Sequence, residues 1–390
     1  MIEKYKGFLP RRLFGEDELN AINNVFKNSW ATGVDFGYQG KYEAQLCERF
    51  NEYLGGNGYV DAVSSGTAAL YIALKALGIG VGDEVAISPI TSPGGVNPII
   101  EVGATLTLID SRKGTNLVDL EQVKKSVTGE TKAIVITHAA GYPVFDLQEI
   151  SLFAKERGLF FIEDCSQAHG AEYNKKKVGT FSDIAVWSTM YSKTLSTGGT
   201  GGLVYTKDEN LYKLIRANAD RGKDLDNVNN TKDPNLLLFP ALNFNLDELS
   251  CAIGISVLYK LDLILKKRRG ILKRITEKID KKNGLSVYLP CLCSETSPFY
   301  VPVIVDEDVF GKTKKELTTE MQKTGIPLNP NFKEVVSYWP WVSEYISGVK
   351  ETPNAIEFIN STFNLYLHEK YTDHDVDYIN AVIDNIISNR

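Results

Sequence analysis

Lys193 stands between a hydroxyl-rich run, Trp187-Ser-Thr-Met-Tyr-Ser192, and a glycine-rich run, Gly198-Gly-Thr-Gly-Gly202. Upstream, the apolar Phe160-Phe-Ile-Glu-Asp164 continues as Cys-Ser-Gln167-Ala-His169-Gly170. A lysine amine among glycines and apolar neighbours is partly desolvated, which favours the neutral nucleophile that adds to a carbonyl carbon. A carboxylate at a strand end can keep a pyridine nitrogen protonated. These are the two groups that a pyridoxal 5'-phosphate (PLP) site requires. Lys193 and Asp164 are therefore the candidate catalytic pair, and PLP the candidate cofactor.

Other residues complete the set. Ser65-Gly66-Thr67 joins a strand to a helix, where free backbone N–H groups and hydroxyls bind a phosphate. The same residues also suit an ordinary helix cap; the lysine and aspartate downstream turn the reading toward a phosphate cup. Ser188 is placed to touch the same phosphate, and Gln167 to donate to the ring's phenolic oxygen. Asp164 also has a bland reading, as a helix cap. His169 is read as a pocket residue and not as the base, with a structural hydrogen-bonding role as its alternative. His138, at another strand end, is read as structural. Trp339 and Trp341 flank Pro340 and are expected to pack the C-terminal region, ring stacking on a substrate being the lesser reading.

Alternating elements must position these residues. Strands are expected at 59–63, 84–87, 105–109, 132–136 and 159–162, with helices at 66–77, 120–127 and 147–157 between them. Near-continuous β-branched runs between amphipathic helices mark a mostly parallel sheet covered on both faces. Ligands bind beyond the carboxyl ends of such strands, where 64–67, 88–95, 138–143 and 164–169 all fall. Residues 224–234 read as a mobile polar loop. A long helix from about 246 to 274 leads into a C-terminal α+β region with strand-like 298–305 and 325–327 and a closing helix at 373–388. The expected fold is α/β, with a large domain over 1–250 and a smaller domain over 251–390.

Composition narrows the partners. The 390 residues are 43% hydrophobic and 24% charged, with net charge -6, and the pI is near 5.5. That balance argues against nucleic acid, which selects basic patches. No apolar run approaches membrane-spanning length, and the N-terminus lacks a signal-peptide core. The five cysteines are scattered, and Cys291 and Cys293 have no second pair to complete a zinc site. A soluble cytoplasmic protein with no metal is expected.

Taken in order, these motifs resemble the DegT/StrS-type sugar aminotransferases, PLP enzymes of fold type I. Asn28-Ser-Trp30-Ala-Thr32-Gly33, Ser65-Gly66-Thr67-Ala-Ala-Leu70, Gly82-Asp83-Glu84-Val85 and Glu163-Asp164-Cys-Ser-Gln167-Ala-His169-Gly170 are each similar to a segment of that family, as is the spacing from Ser188 to Lys193. The resemblance implies transfer of an amino group from L-glutamate to a keto sugar, by default nucleotide-linked, with ping-pong kinetics. Lys193 would move the proton and Asp164 would hold the ring nitrogen. Related dehydratases carry His at the lysine position, so Lys193 favours transamination over a PLP dehydratase or epimerase; a non-catalytic PLP-binding regulator is the reading from another class. The resemblance also implies a homodimer with shared active sites, in which Asn243 of Leu242-Asn243-Phe244 reaches the neighbouring subunit's phosphate.

Three positions depart from the family pattern. Ser92 stands where an aromatic side chain usually stacks on the cofactor ring; His169 is expected to cover that face instead, an open face or cover by the Pro93-Gly94-Gly95 backbone being the alternatives. Asn245 replaces an arginine that would bind an anion. Thr200 replaces a glutamate in the glycine run. These departures leave open a small phosphorylated ketone or another carbohydrate as acceptor.

Overall fold

In the computed structural model, described over residues 7–225, 236–279, 284–288 and 293–388, seven strands form one central sheet. They are β1 (Tyr59–Val63), β2 (Glu84–Ile87), β3 (Thr105–Leu108), β4 (Thr131–Thr137), β5 (Phe160–Asp164), then, past the short hairpin β6 (Glu172–Tyr173) and β7 (Lys176–Lys177), β8 (Ile184–Ser188) and β9 (Gly202–Thr206). Their order is β1-β9-β8-β5-β4-β2-β3. The inner pairs are parallel, and β9 alone runs against its neighbours β8 and β1. The sheet is thus mostly parallel, as its β-branched runs imply. Most of the polar segment 224–234 and Cys291 lie outside the described residues.

Helices cover both faces. They are α1 (Glu16–Thr32), α2 (Lys41–Leu54), α3 (Gly66–Ala76), α4 (Pro93–Glu101), α5 (Leu120–Ser126), α6 (Leu147–Glu156), α7 (Glu209–Ala219) and α8 (Glu248–Ile279). Along β4, Ala133 and Val135 join one apolar cluster while Ile134 and Ile136 join another. Alternate side chains of one strand thereby fill two cores, which is why a parallel strand carries apolar residues at every position. No helix among the described residues is long and apolar enough to cross a membrane.

The C-terminal region adds an antiparallel sheet in the order β10-β12-β14-β13, from β10 (Leu285–Ser286), β12 (Tyr300–Val305), β13 (Leu328–Asn329) and β14 (Thr362–Tyr366), while β11 (Ser294–Glu295) pairs with β6. Residues 325–327 precede β13 instead of forming it. Pro327 has no N–H to donate, and its carbonyl accepts from Tyr366 N at 3.2 Å. Helices α9 (Glu307–Phe310), α10 (Lys314–Lys323), α11 (Pro353–Ser361) and α12 (Asp373–Ser388) complete this part. The 32-residue α8 packs on α1, α2 and α12, so a division at residue 250 falls inside its first turn. Trp339 and Trp341 stack on each other, with centroids 5.5 Å apart.

Candidate active site

The carboxyl ends of β1, β2, β4, β5 and β8 open on one edge of the sheet, and β9 starts there. Helix α3 begins at this edge, capped by Ser65, whose hydroxyl accepts from Ala68 N at 3.0 Å. Helix α4 begins beside it, with Ser92 at its N-cap and Pro93 in its first turn, so the expected loop at 88–95 is in part a second helix start. A Cβ on Gly66 would lie 2.6 Å from Ser188 Cβ, and one on Gly94 would lie 2.7 Å from Thr67 Oγ1. Glycine at these places lets two helix starts and the end of β8 converge.

A cavity of about 400 Å³ occupies the meeting point, within the usual range for a small-molecule site. Ser65, Gly66, Thr67, Ser92, Asp164, Gln167, Ser188 and Lys193 all line it, so eight of the residues expected from sequence come together. The Thr67, Ser92 and Ser188 hydroxyls have no hydrogen-bond partner among the described residues and are available to an anion. Gln167 accepts from Ala140 N at 2.7 Å through Oε1, which leaves its amide N–H groups to donate. The donor set fits a phosphate at the two helix starts, a carboxylate for a ring nitrogen and an amine for an aldehyde.

Burial pulls the Lys193 amine below its usual range, and the charges of Asp164 and Glu334 oppose that shift. Its Nζ lies over the Phe299 ring at 4.8 Å. Asp164 accepts from Ser166 N at 3.0 Å, and Ser166 Oγ accepts from Ser188 N at 2.9 Å. These bonds tie the aspartate loop to the end of β8.

His169 lies beside the cavity, next to Lys193 and the Ser188 backbone, without joining its lining. It is fully buried, outside the cavity lining, and neither ring nitrogen meets a partner at good geometry. Burial, then the Lys193 charge, pushes its pKa down to about 3, with a contact to the Ser188 backbone opposing. The idea that it covers a ring face finds no support in the lining, where the aromatic side chain is Phe299. His138 matches its structural reading: Val144 N donates to Nδ1 at 3.2 Å, so Nε2 carries the proton and donates to Glu163 at 3.1 Å. Asn243 is exposed and also outside this lining, accepting from Asn245 Nδ2 at 2.6 Å. Asn245 in turn accepts from Gln39 at 3.1 Å. Thr200 donates to the Ser64 carbonyl at 2.7 Å, fastening the glycine run to the end of β1.

Several contributors carry no local sequence signal. Phe299 and Glu334 enter the lining from the C-terminal region. Phe299 arrives through backbone bonds from Ser297 N to Gly141 O and Phe299 N to Ala140 O, at 2.8 and 3.0 Å. The lysine loop is held from outside the cavity: Arg11 Nη1 donates to the carbonyls of Ser192 and Lys193 at 3.1 and 2.8 Å. Arg268 donates to Pro298 O at 3.0 Å and Thr194 Oγ1 at 3.4 Å.

A lysine and an aspartate converging on a cavity beyond a mostly parallel sheet fit a PLP site, and the comparisons place the chain among the PLP-dependent aminotransferases. The chain belongs to the DegT/DnrJ/EryC1/StrS aminotransferase family, whose model matches residues 13–384. It is 30% identical to the spore coat polysaccharide biosynthesis protein SpsC of Bacillus subtilis, over 99% of both chains. It is 34% identical to GDP-perosamine synthase of Escherichia coli O157:H7, over 65% of this chain and 66% of that one. Its fold is similar to an aminotransferase from Psychrobacter cryohalolentis, with TM-score 0.88 and 27% identity, over 98% of this chain and 99% of the other.

Proposed function

We propose that this protein transfers an amino group from L-glutamate to a keto sugar, a nucleotide-linked keto-deoxy sugar by preference, through a ping-pong cycle. The observation that carries the reading is the convergence of the desolvated Lys193 amine and Asp164 on one cavity with two helix starts. Bound PLP supplies an electron sink for the carbanion at the donor Cα.

The chain's residues do the rest. Thr67, Ser92, Ser188 and the backbone N–H groups of α3 and α4 bind the phosphate. Asp164 holds a proton on the ring nitrogen. Gln167 donates to the ring oxygen. Lys193 would hold the cofactor at rest; once free, its Nζ would carry the proton from the donor Cα to the cofactor's C4′ and, in the second half-reaction, from C4′ to the acceptor carbon. Asn243, exposed and away from its own cavity, serves the neighbouring subunit of a homodimer. The large and small domains divide near residue 250.

Mixing the PLP-loaded enzyme with L-glutamate alone tests the reading. One equivalent of 2-oxoglutarate per subunit should appear without any acceptor, with loss of the cofactor's visible absorbance. Release that requires the acceptor to be present would sink the ping-pong cycle.

A further inference from the structure

Glu334 belongs to no recognised motif, yet it lines the cavity with Lys193 and Phe299. Its backbone is fixed there: Thr91 N donates to Glu334 O at 3.2 Å and Val336 N to Pro89 O at 2.9 Å, with Val335 bridging Ile90. A segment of the C-terminal region is thus fastened to the loop beyond β2 that also carries Ser92. The side chain is half-buried.

Among the described residues the lining holds three charged side chains, Lys193, Asp164 and Glu334, and no arginine. Asp164 is bonded to Ser166 N. The Glu334 carboxylate meets no hydrogen-bond donor among the described residues. Burial raises its carboxyl above the usual value, and the Lys193 charge opposes the rise. Once Lys193 is committed to the cofactor, a ligand in the cavity is placed to supply a donor to this carboxylate. An ionised carboxylate only accepts hydrogen bonds, so its complement is a hydroxyl or an ammonium. A phosphate or carboxylate in the same place is repelled.

We propose that Glu334 is a specificity-determining residue that accepts a hydrogen bond from a substrate hydroxyl neighbouring the carbon that is aminated, and so selects hydroxylated keto sugars over anionic ketones. The proposal rests on the aminotransferase reading and adds to it the chemistry required of the acceptor.

Two probes that differ beside the reacting amine test it on the PLP-loaded enzyme: L-glutamate, with a carboxylate next to its amine, and GDP-perosamine, with a hydroxyl next to its amine. Dissociation constants are measured by calorimetry and by the change in cofactor absorbance, for wild type, Glu334→Gln and Glu334→Ala. Losing a charge-assisted hydrogen bond should weaken GDP-perosamine by about tenfold or more in both variants. L-glutamate should bind as well or more tightly, since a like charge is gone. Parallel changes for both probes, no change for either, or no binding of GDP-perosamine by the wild type would overturn the proposal. A wild type that responds to no L-glutamate overturns the aminotransferase reading itself, and this inference with it.

Discussion

Arg268 Nε donates to Glu369 at 2.9 Å, and the other oxygen of that carboxylate accepts from Arg11 Nε at 3.0 Å. One buried carboxylate therefore holds two guanidiniums, and these hold the carbonyls and hydroxyl of residues 192–194 and the carbonyl of Pro298. The position of Lys193 depends on a contact made far from it in sequence.

Removing this carboxylate leaves the buried Arg268 and the half-buried Arg11 without their counter-charge. Glu369→Ala should cost about 3–5 kcal/mol of stability. Urea unfolding measures it, and hydrogen exchange should rise first at residues 192–194. A variant as stable as the wild type would show that the network is dispensable.

The same pair sets an acid limit. Burial alone would raise the Glu369 carboxyl, but Arg268 and Arg11 bring it down to about 2. A folded-state value below the unfolded one, near ~4.3, gives stability that is present above the unfolded value and lost as pH falls toward the folded one. The stability difference between wild type and Glu369→Gln should therefore be full at pH 6 and shrink between about pH 4 and pH 2. A constant difference across that window would assign the effect to packing.

Lys193→Ala should abolish turnover. Borohydride treatment of the loaded wild type should fix the cofactor on the peptide containing Lys193, with no label in the variant. A label on any other lysine would refute the assignment.

Asp164→Asn keeps the side chain's shape and removes its charge. PLP should still bind, while kcat falls on the order of a hundredfold, the scale of losing a key electrostatic stabiliser. Single-turnover absorbance with L-glutamate reads this directly, and near-normal rates would exclude the role.

Gly66→Ala places a methyl 2.6 Å from Ser188 Cβ and 2.9 Å from its Cα. Backbone has to move, at about 1–3 kcal/mol, and it moves at the phosphate cup. PLP affinity should drop by roughly tenfold or more, as measured by equilibrium dialysis of the apoenzyme. Unchanged affinity would place the phosphate elsewhere.

The central sheet was readable because its inner strands carry near-continuous apolar runs, such as Val85–Ile87, Ala133–Ile136 and Phe160–Ile162. Tyr59–Val63 and Glu84–Ile87 have the bounds their sequence implies. Asp164 and Gln167 reach the cavity, whereas His169 in the same motif is buried beside it, off the lining. A loop sequence names neighbours but not the direction each side chain takes from a turning backbone. Phe299, Glu334, Arg11, Arg268 and Glu369 left no local trace. They arrive by tertiary docking, as when Gly141, at φ +84, lets Ser297 approach so closely that a Cβ would lie 1.7 Å from its carbonyl oxygen. No periodicity or spacing encodes such a contact.

The Arg268–Glu369 pair also bears on the timing of assembly. During translation the lysine loop and the whole β1–β9 sheet leave the ribosome before Arg268, and Glu369 emerges later still. A nascent chain can thus hold every residue of its most recognisable motif while the loop lacks the contacts that keep it in place. Firm placement of the Lys193 loop should therefore wait for Glu369, and a chain interrupted before it would lack the carboxylate that holds Arg11 and Arg268.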